Sequence, residues 1–198
     1  MDALAGHFVL GTTARKVPTH DLAAFHLYLS ALKLRSEPTE HNLRAAIDLF
    51  ARATVRDPRF ARAWYAMSEA RVFSAVNGLG GEELLGCAER DARHALALDP
   101  SLSSAHAVLG ILRAVGADWI EAEAEFSSAR ALLARNPETL VSHAIHVCRQ
   151  VGHTGRALQE AQAAYELAPA SAGLAFQVGV QRLLNGENAG ARRWIDAA

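Results

Sequence analysis

The residue types best suited to chemistry gather in one short stretch, at His143, His146, Cys148 and His153. Imidazole and thiolate are common zinc ligands, and His143 and His146, three apart, share one face of a helix. A zinc centre needs three or four ligands converging on one point, and nothing else in the sequence leads to this stretch. Surface or groove histidines are therefore expected, with no metal and no other cofactor. The glycines between Gly78 and Gly86 raise the question of phosphate binding. No predicted strand precedes them and no Lys-Ser or Lys-Thr follows, so they are expected to serve turns. No Ser, Cys or carboxylate stands at a recognisable spacing from an orienting base, and the chain reads as a non-enzyme.

The elements that position these residues follow from composition and periodicity. Of the 198 residues 51% are hydrophobic but only 7% aromatic, so the apolar content is mainly Ala and Leu, both strong helix formers. An all-α chain with a continuous core is the expectation. The 20 basic and 21 acidic side chains nearly cancel, leaving no overall field for phosphate backbones or anionic lipid, and no nucleic-acid or membrane partner is expected for this segment. No apolar run approaches the roughly 18 residues of a membrane span, and the N-terminus lacks the pattern of a signal peptide. Two cysteines far apart in sequence, Cys87 and Cys148, fit small buried residues in a reduced, cytoplasmic setting.

Asp57-Pro58, Asp99-Pro100, Asn136-Pro137 and Ala168-Pro169 each close an Ala/Leu-rich stretch, and proline both lacks an amide hydrogen and restricts the residue before it. Their intervals are 42, 37 and 32 residues. Twelve, eight and five residues before the proline stand Ala46, Phe50 and Ala53, then Ala88, Ala92 and Ala95, and again Ala157, Ala161 and Ala164. Ala122, Phe126 and Ala129 keep the same mutual spacing, but Pro137 comes three residues late, implying an extended helix or a loosened turn. Ala191, Ile195 and Ala198 repeat the pattern, with Gly179 placed before Ala191 as Gly110 is before Ala122. Spacings of four and three put these small side chains on one helix face, where a neighbouring helix can approach closely. Trp64, Met67, Leu109, Phe176 and Val178 supply the complementary bulk.

Helices are predicted at about 21–35, 40–55, 60–76, 82–97, 102–115, 119–134, 138–151, 155–167, 171–185 and 188–198, with a glycine-containing loop over 74–86. They pair into units of about 21–58, 59–100, 101–137, 138–169 and an incomplete 170–198, preceded by an unassigned segment 1–20 in which Ala3 to Leu10 could form an extra helix or strand. A single hairpin cannot bury both faces, so the hairpins must stack into a superhelix with a concave groove.

This repeat resembles the tetratricopeptide (TPR) family over roughly 21–198, through Trp64, Gly110, the alanine ladders and the helix-closing prolines. The resemblance implies an all-α right-handed solenoid that binds a protein or peptide. Leu27-Tyr28-Leu29, the run from Ala45 to Phe50, and Asp118-Trp119 with the following residues to Phe126 are similar to TPR regions attached to bacterial winged-helix transcription activators and class III adenylate cyclases. That similarity implies a regulatory module whose effector domain lies outside this segment.

In the family register the first helices line the groove, through Arg62, Tyr65, Glu69, Val72 and Phe73, then Ala107, Ile111, Ala114 and Val115. His146, Arg149 and Gln150 follow, then Phe176, Val180 and Leu183. The surface is apolar and mixed, suited to anchoring a peptide's side chains. Chaperone-type members grip a C-terminal carboxylate with Lys and Asn where this chain has Tyr65 and Glu69, so that partner is not expected. Two other roles compete. Val180, Leu183 and Trp194 at the last hairpin could drive self-association into a homo-oligomer, and the concave surface with His146 and Arg149 could sense a small molecule.

Overall fold

The computed structural model describes residues 19–196, and the Ala3–Leu10 element and Ala198 lie outside them. Among the described residues ten α-helices follow one another: α1 Leu22–Arg35, α2 Glu40–Arg56, α3 Ala61–Val76, α4 Glu82–Leu98, α5 Ser103–Val115, α6 Trp119–Leu132, α7 Pro137–His143, α8 Thr154–Leu167, α9 Ala172–Leu184 and α10 Asn188–Asp196. Consecutive helices pack as the hairpins α1–α2, α3–α4, α5–α6, α7–α8 and α9–α10. In the central part α5 also packs against both α3 and α7, so the first helices of successive units adjoin one another.

The small-residue ladders are where the hairpins close. Each complete ladder, from Ala46-Phe50-Ala53 to Ala157-Ala161-Ala164, is buried along its whole length. The last one thins, with Ala191 buried and Ile195 on the exposed side. Two glycines show why the approach is close. A Cβ on Gly110 would lie 2.8 Å from the Phe126 ring, and one on Gly179 would lie 2.6 Å from Ile195 Cγ1, so at both positions only hydrogen fits without movement.

Local signals explain most helix ends. Asp21, Thr39, Asp118, Asn136 and Ser171 cap their helices by accepting hydrogen bonds from backbone N–H groups of the first turn. Pro58, Pro100 and Pro169 each stand two positions after the last residue of a helix, as expected of stops. Pro137 does not: it is the first residue of α7, where its missing N–H is harmless. The late proline reflects neither an extended helix nor a loosened turn: α6 ends at Leu132, and the connection 133–136 has the same four residues as 57–60, 99–102 and 168–171, so the proline has moved from the connection to the start of the next helix. The glycine loop is also narrower than predicted. α3 continues to Val76 and α4 begins at Glu82, leaving 77–81, where Gly78 and Gly80 take positive φ of 78° and 151°.

The predicted helix over 138–151 is the largest departure. α7 stops being α-helical after His143 and continues as a π-helical turn over Ala144–Cys148, closed by an i→i+5 bond from Arg149 N–H to the Ala144 carbonyl.

Candidate functional site

The predicted groove residues fall into three groups. Tyr65 of α3 faces Tyr28, Leu32 and Arg35 of α1 across a cavity of about 430 Å³, which Arg62, Ser104, Leu133 and Glu138 complete. Leu32 and Arg35 also line an adjoining cavity of about 320 Å³ with Ser36, Pro38, Glu69 and Phe73. Four of the predicted residues, Arg62, Tyr65, Glu69 and Phe73, thus share one continuous recess. Val72, Ala107 and Ala114 are instead buried in the core, which takes them off the groove surface. Ile111 packs half-buried against the cores on both sides of α5. His146 and Arg149 lie on and just beyond the π turn, both half-buried, while Phe176 and Val115 are exposed and Val180 half-buried.

Aromatic bodies form the base of the recess and charges its margins. The Tyr28 ring packs on Phe50 and Phe60 at centroid distances of 5.8 and 5.0 Å, so the α1 wall is held by the core of the first hairpin. Burial raises the pKa of the Tyr65 hydroxyl above its ordinary value, with Glu138 adding to the effect, and Ser104 shares a hydrogen bond with it. Tyr28 is raised by burial as well, against the pull of Arg62 and Arg35. Both phenols stay neutral over the physiological range. Arg35 is ion-paired with Glu69, tying α1 to α3 along the recess. Sequence reasoning missed the contributions of Tyr28, Arg35, Leu133 and Glu138, because they come from the first unit and from either side of the turn at Pro137.

The metal-type residues separate. His153 is exposed, and His146 is pulled down to about 4 by burial and by Arg149, leaving it a neutral imidazole. His143 and Cys148 do come together, both buried, with Sγ 3.4 Å from Nδ1. Five residues apart, they would diverge on a regular α-helix by about 140°. The π turn brings them to one side. Two glutamates complete the cluster: Glu160 of α8 lies 2.5 Å from Nδ1, and Glu123 of α6 lies 2.6 Å from Nε2. Arg156 reaches Glu160 at 3.1 Å and Glu123 at 3.3 Å, and Arg130 reaches Glu123 at 3.1 Å.

With a carboxylate on each ring nitrogen, His143 is held as an imidazolium. Burial works against the charge, but Cys148, Glu160 and Glu123 outweigh it and raise the pKa to about 9. Burial likewise works against the Glu123 carboxylate, and His143, Arg156 and Arg130 hold its pKa below the ordinary value. Sequence reasoning did not bring in either glutamate. Their one signal was their position beside the ladder residues Ala122 and Ala161, at the margin of the buried face.

At the last hairpin Leu183 and Leu184 are about half exposed. Trp194 is turned inward, packing edge-on against Tyr165 of α8 at 4.8 Å. Both cysteines are free. Among the described residues no helix is long and apolar enough to cross a membrane.

No protein-family model matches the sequence, and no curated protein is similar to it. Solved structures are similar in shape. A thermophilic TPR protein of Thermus thermophilus, TTC0263, aligns with a TM-score of 0.59 at 20% identity, over 81% of this chain and 100% of that one. PilF of Pseudomonas aeruginosa aligns with a TM-score of 0.59 at 18% identity, over 88% of this chain and 74% of that one. The APC/C hetero-tetramer Cut9–Hcn1 gives a TM-score of 0.62 at 17% identity, over 87% of this chain and 36% of the other. The fold is a TPR-like all-α solenoid.

Proposed function

We propose that this chain is a protein-interaction module that seats a segment of a partner protein in the recess between α1 and α3. One observation carries the reading: two adjoining cavities, of about 430 and 320 Å³, combine aromatic walls with charges at their margins. Tyr28, Tyr65 and Phe73 offer apolar anchoring area at low entropic cost, and Arg62 and Glu138 give a bound segment direction. The solved structures of similar shape include proteins described as TPR proteins and one that is an assembled hetero-tetramer, which supports a binding role over a catalytic one. The resemblance to TPR regions of bacterial winged-helix activators and cyclases suggests a cytoplasmic regulator whose effector part lies outside this segment.

The test is selection of binders from a peptide library on the full chain. Phe73 is 43% exposed, so its truncation leaves the core intact. Enriched peptides are expected to lose at least about tenfold in affinity on Phe73→Ala or Arg62→Glu and to be unaffected by Leu183→Glu. Absence of enrichment, or binding indifferent to both groove variants, counts against the proposal. The half-exposed Leu183 and Leu184 favour a second reading, self-association through α9. A dimer in light scattering that Leu183→Glu abolishes would establish it, and a monomer at high concentration would remove it.

A further inference from the structure

The buried cluster at the junction of α6, α7 and α8 contains more than an ion-pair network requires. His143, its two glutamates and the two arginines form a complete set of charges without Cys148. Yet a π turn, a costly departure from α-geometry that recurs at functional sites, places the Cys148 thiol 3.4 Å from His143 Nδ1 and 4.0 Å from a Glu160 oxygen. The donor atoms of His143, Cys148 and Glu160 all lie within 4.8 Å of one another.

We propose that His143 Nδ1, Cys148 Sγ and a Glu160 carboxylate oxygen bind a zinc ion, with water as the fourth ligand and Glu123 orienting the imidazole from behind. Nitrogen, sulfur and oxygen ligands on tetrahedral zinc stand about 3.5 Å apart, given metal–ligand distances of about 2.0–2.3 Å. The thiol–imidazole separation of 3.4 Å already meets this, and the thiol–carboxylate separation of 4.0 Å nearly does. Only the Nδ1–Glu160 hydrogen bond of 2.5 Å must open, as the shared proton gives way to the ion. Glu123, 2.6 Å from Nε2, occupies the outer position from which carboxylates fix the orientation of zinc-binding histidines. Charge also balances. One divalent ion replaces the second imidazolium proton and the thiol proton, so the cluster's net charge is the same with and without metal. The ion would join α7, its π turn and α8 at a single point, and through Glu123 draw in α6.

The experiment is a Co²⁺ titration of the full chain, reduced and stripped with chelator, followed by displacement with Zn²⁺. One equivalent is expected to give thiolate-to-cobalt charge-transfer absorption that Zn²⁺ bleaches. The nearly isosteric Cys148→Ser should remove that absorption while Cys87→Ser retains it. Glu123→Gln should weaken metal binding by about 10–100-fold without removing the charge-transfer band. Far-UV circular dichroism reports whether each variant is folded. If Cys148→Ser does not fold, the Cys87→Ser spectrum together with weakened binding in Glu160→Gln carries the result. No charge-transfer absorption in the wild-type protein, absorption that survives in folded Cys148→Ser, or absorption lost in Cys87→Ser would each overturn the proposal.

Discussion

The first hairpin and the junction around α7 are held by different forces. In the first, Tyr28 and Phe50 interlock over alanines with Phe60 from the connection to α3, and stability comes from apolar area removed from water. At the junction the Phe126 ring still packs on His143, at 5.0 Å, but the imidazole is also clamped between carboxylates from α6 and α8. Apolar packing fixes how close helices come and is nearly indifferent to pH. A charge-assisted clamp fixes register as well, and depends on protonation. The repeat is therefore not uniform along the array: ion pairs such as Arg71–Asp91 and Arg113–Glu89 cross other joints, but at α7 a fully buried imidazole is clamped by carboxylates from both neighbouring helices as a polar lock.

The contrast can be broken at its strongest point. Phe50→Ala is expected to cost about 3–5 kcal/mol, by lost transfer energy and a cavity, at any pH from 6 to 10. His143→Ala in the metal-free protein is expected to cost about 3 kcal/mol at pH 6, because it strands two partly buried carboxylates that only the arginines then balance. Its cost should depend on pH. The pKa of His143 is raised in the folded state, from 6.5 to about 9, so its stabilisation is fully present below about 6.5 and is lost as pH rises through 9. Chelator-treated wild type should accordingly lose on the order of 2–3 kcal/mol between pH 6 and 10 relative to the variant. Denaturant titrations at both pH values measure this, and equal pH dependence in wild type and His143→Ala would dissolve the distinction.

Most of the fold was legible because it rests on short-range signals. Proline stops and alanines at spacings of four and three are local, and they located the ten helices of the described residues. The junction was not, for two physical reasons. A π turn has no composition of its own, so the stretch after His143 read as ordinary helix, on which Cys148 would not meet His143. Glu123 and Glu160 reach His143 from twenty residues before and seventeen after it, a distance that periodicity does not span. The groove divided in the same way. The family register of one helix names Arg62, Tyr65, Glu69 and Phe73, which line the recess together, whereas Tyr28 and Glu138 depend on how the first, second and fourth units curve together.

Glycine substitutions sharpen the comparison at smaller amplitude. Gly110→Ala sets a methyl group 2.8 Å from Phe126, which cannot move freely because its ring is packed on His143. Overpacking of this kind is expected to cost about 1–3 kcal/mol. Because Phe126 transmits the strain to the imidazole, the substitution should also lower the pKa of His143 when followed by NMR titration. A destabilised variant with that titration unchanged would show that packing and the polar lock are independent.

The smallest effect is expected to have the opposite sign. Gly155 lies in the first turn of α8, one residue before Arg156, and a Cβ there would meet nothing within 4 Å. Its backbone does not need positive φ, since the positive-φ glycines among the described residues are Gly78, Gly80, Gly152 and Gly186. Gly155→Ala should therefore stabilise the protein by about 0.4–1 kcal/mol, by restricting the unfolded chain and favouring helix. The gain bears on the comparison because it adds helix stability to α8 without touching the Glu160–His143 clamp. Thermal melts at pH 6 and pH 10 should rise by the same amount. A gain confined to pH 6 would mean that α8 is ordered through His143, and the polar lock would then organise the helix as well as fasten it.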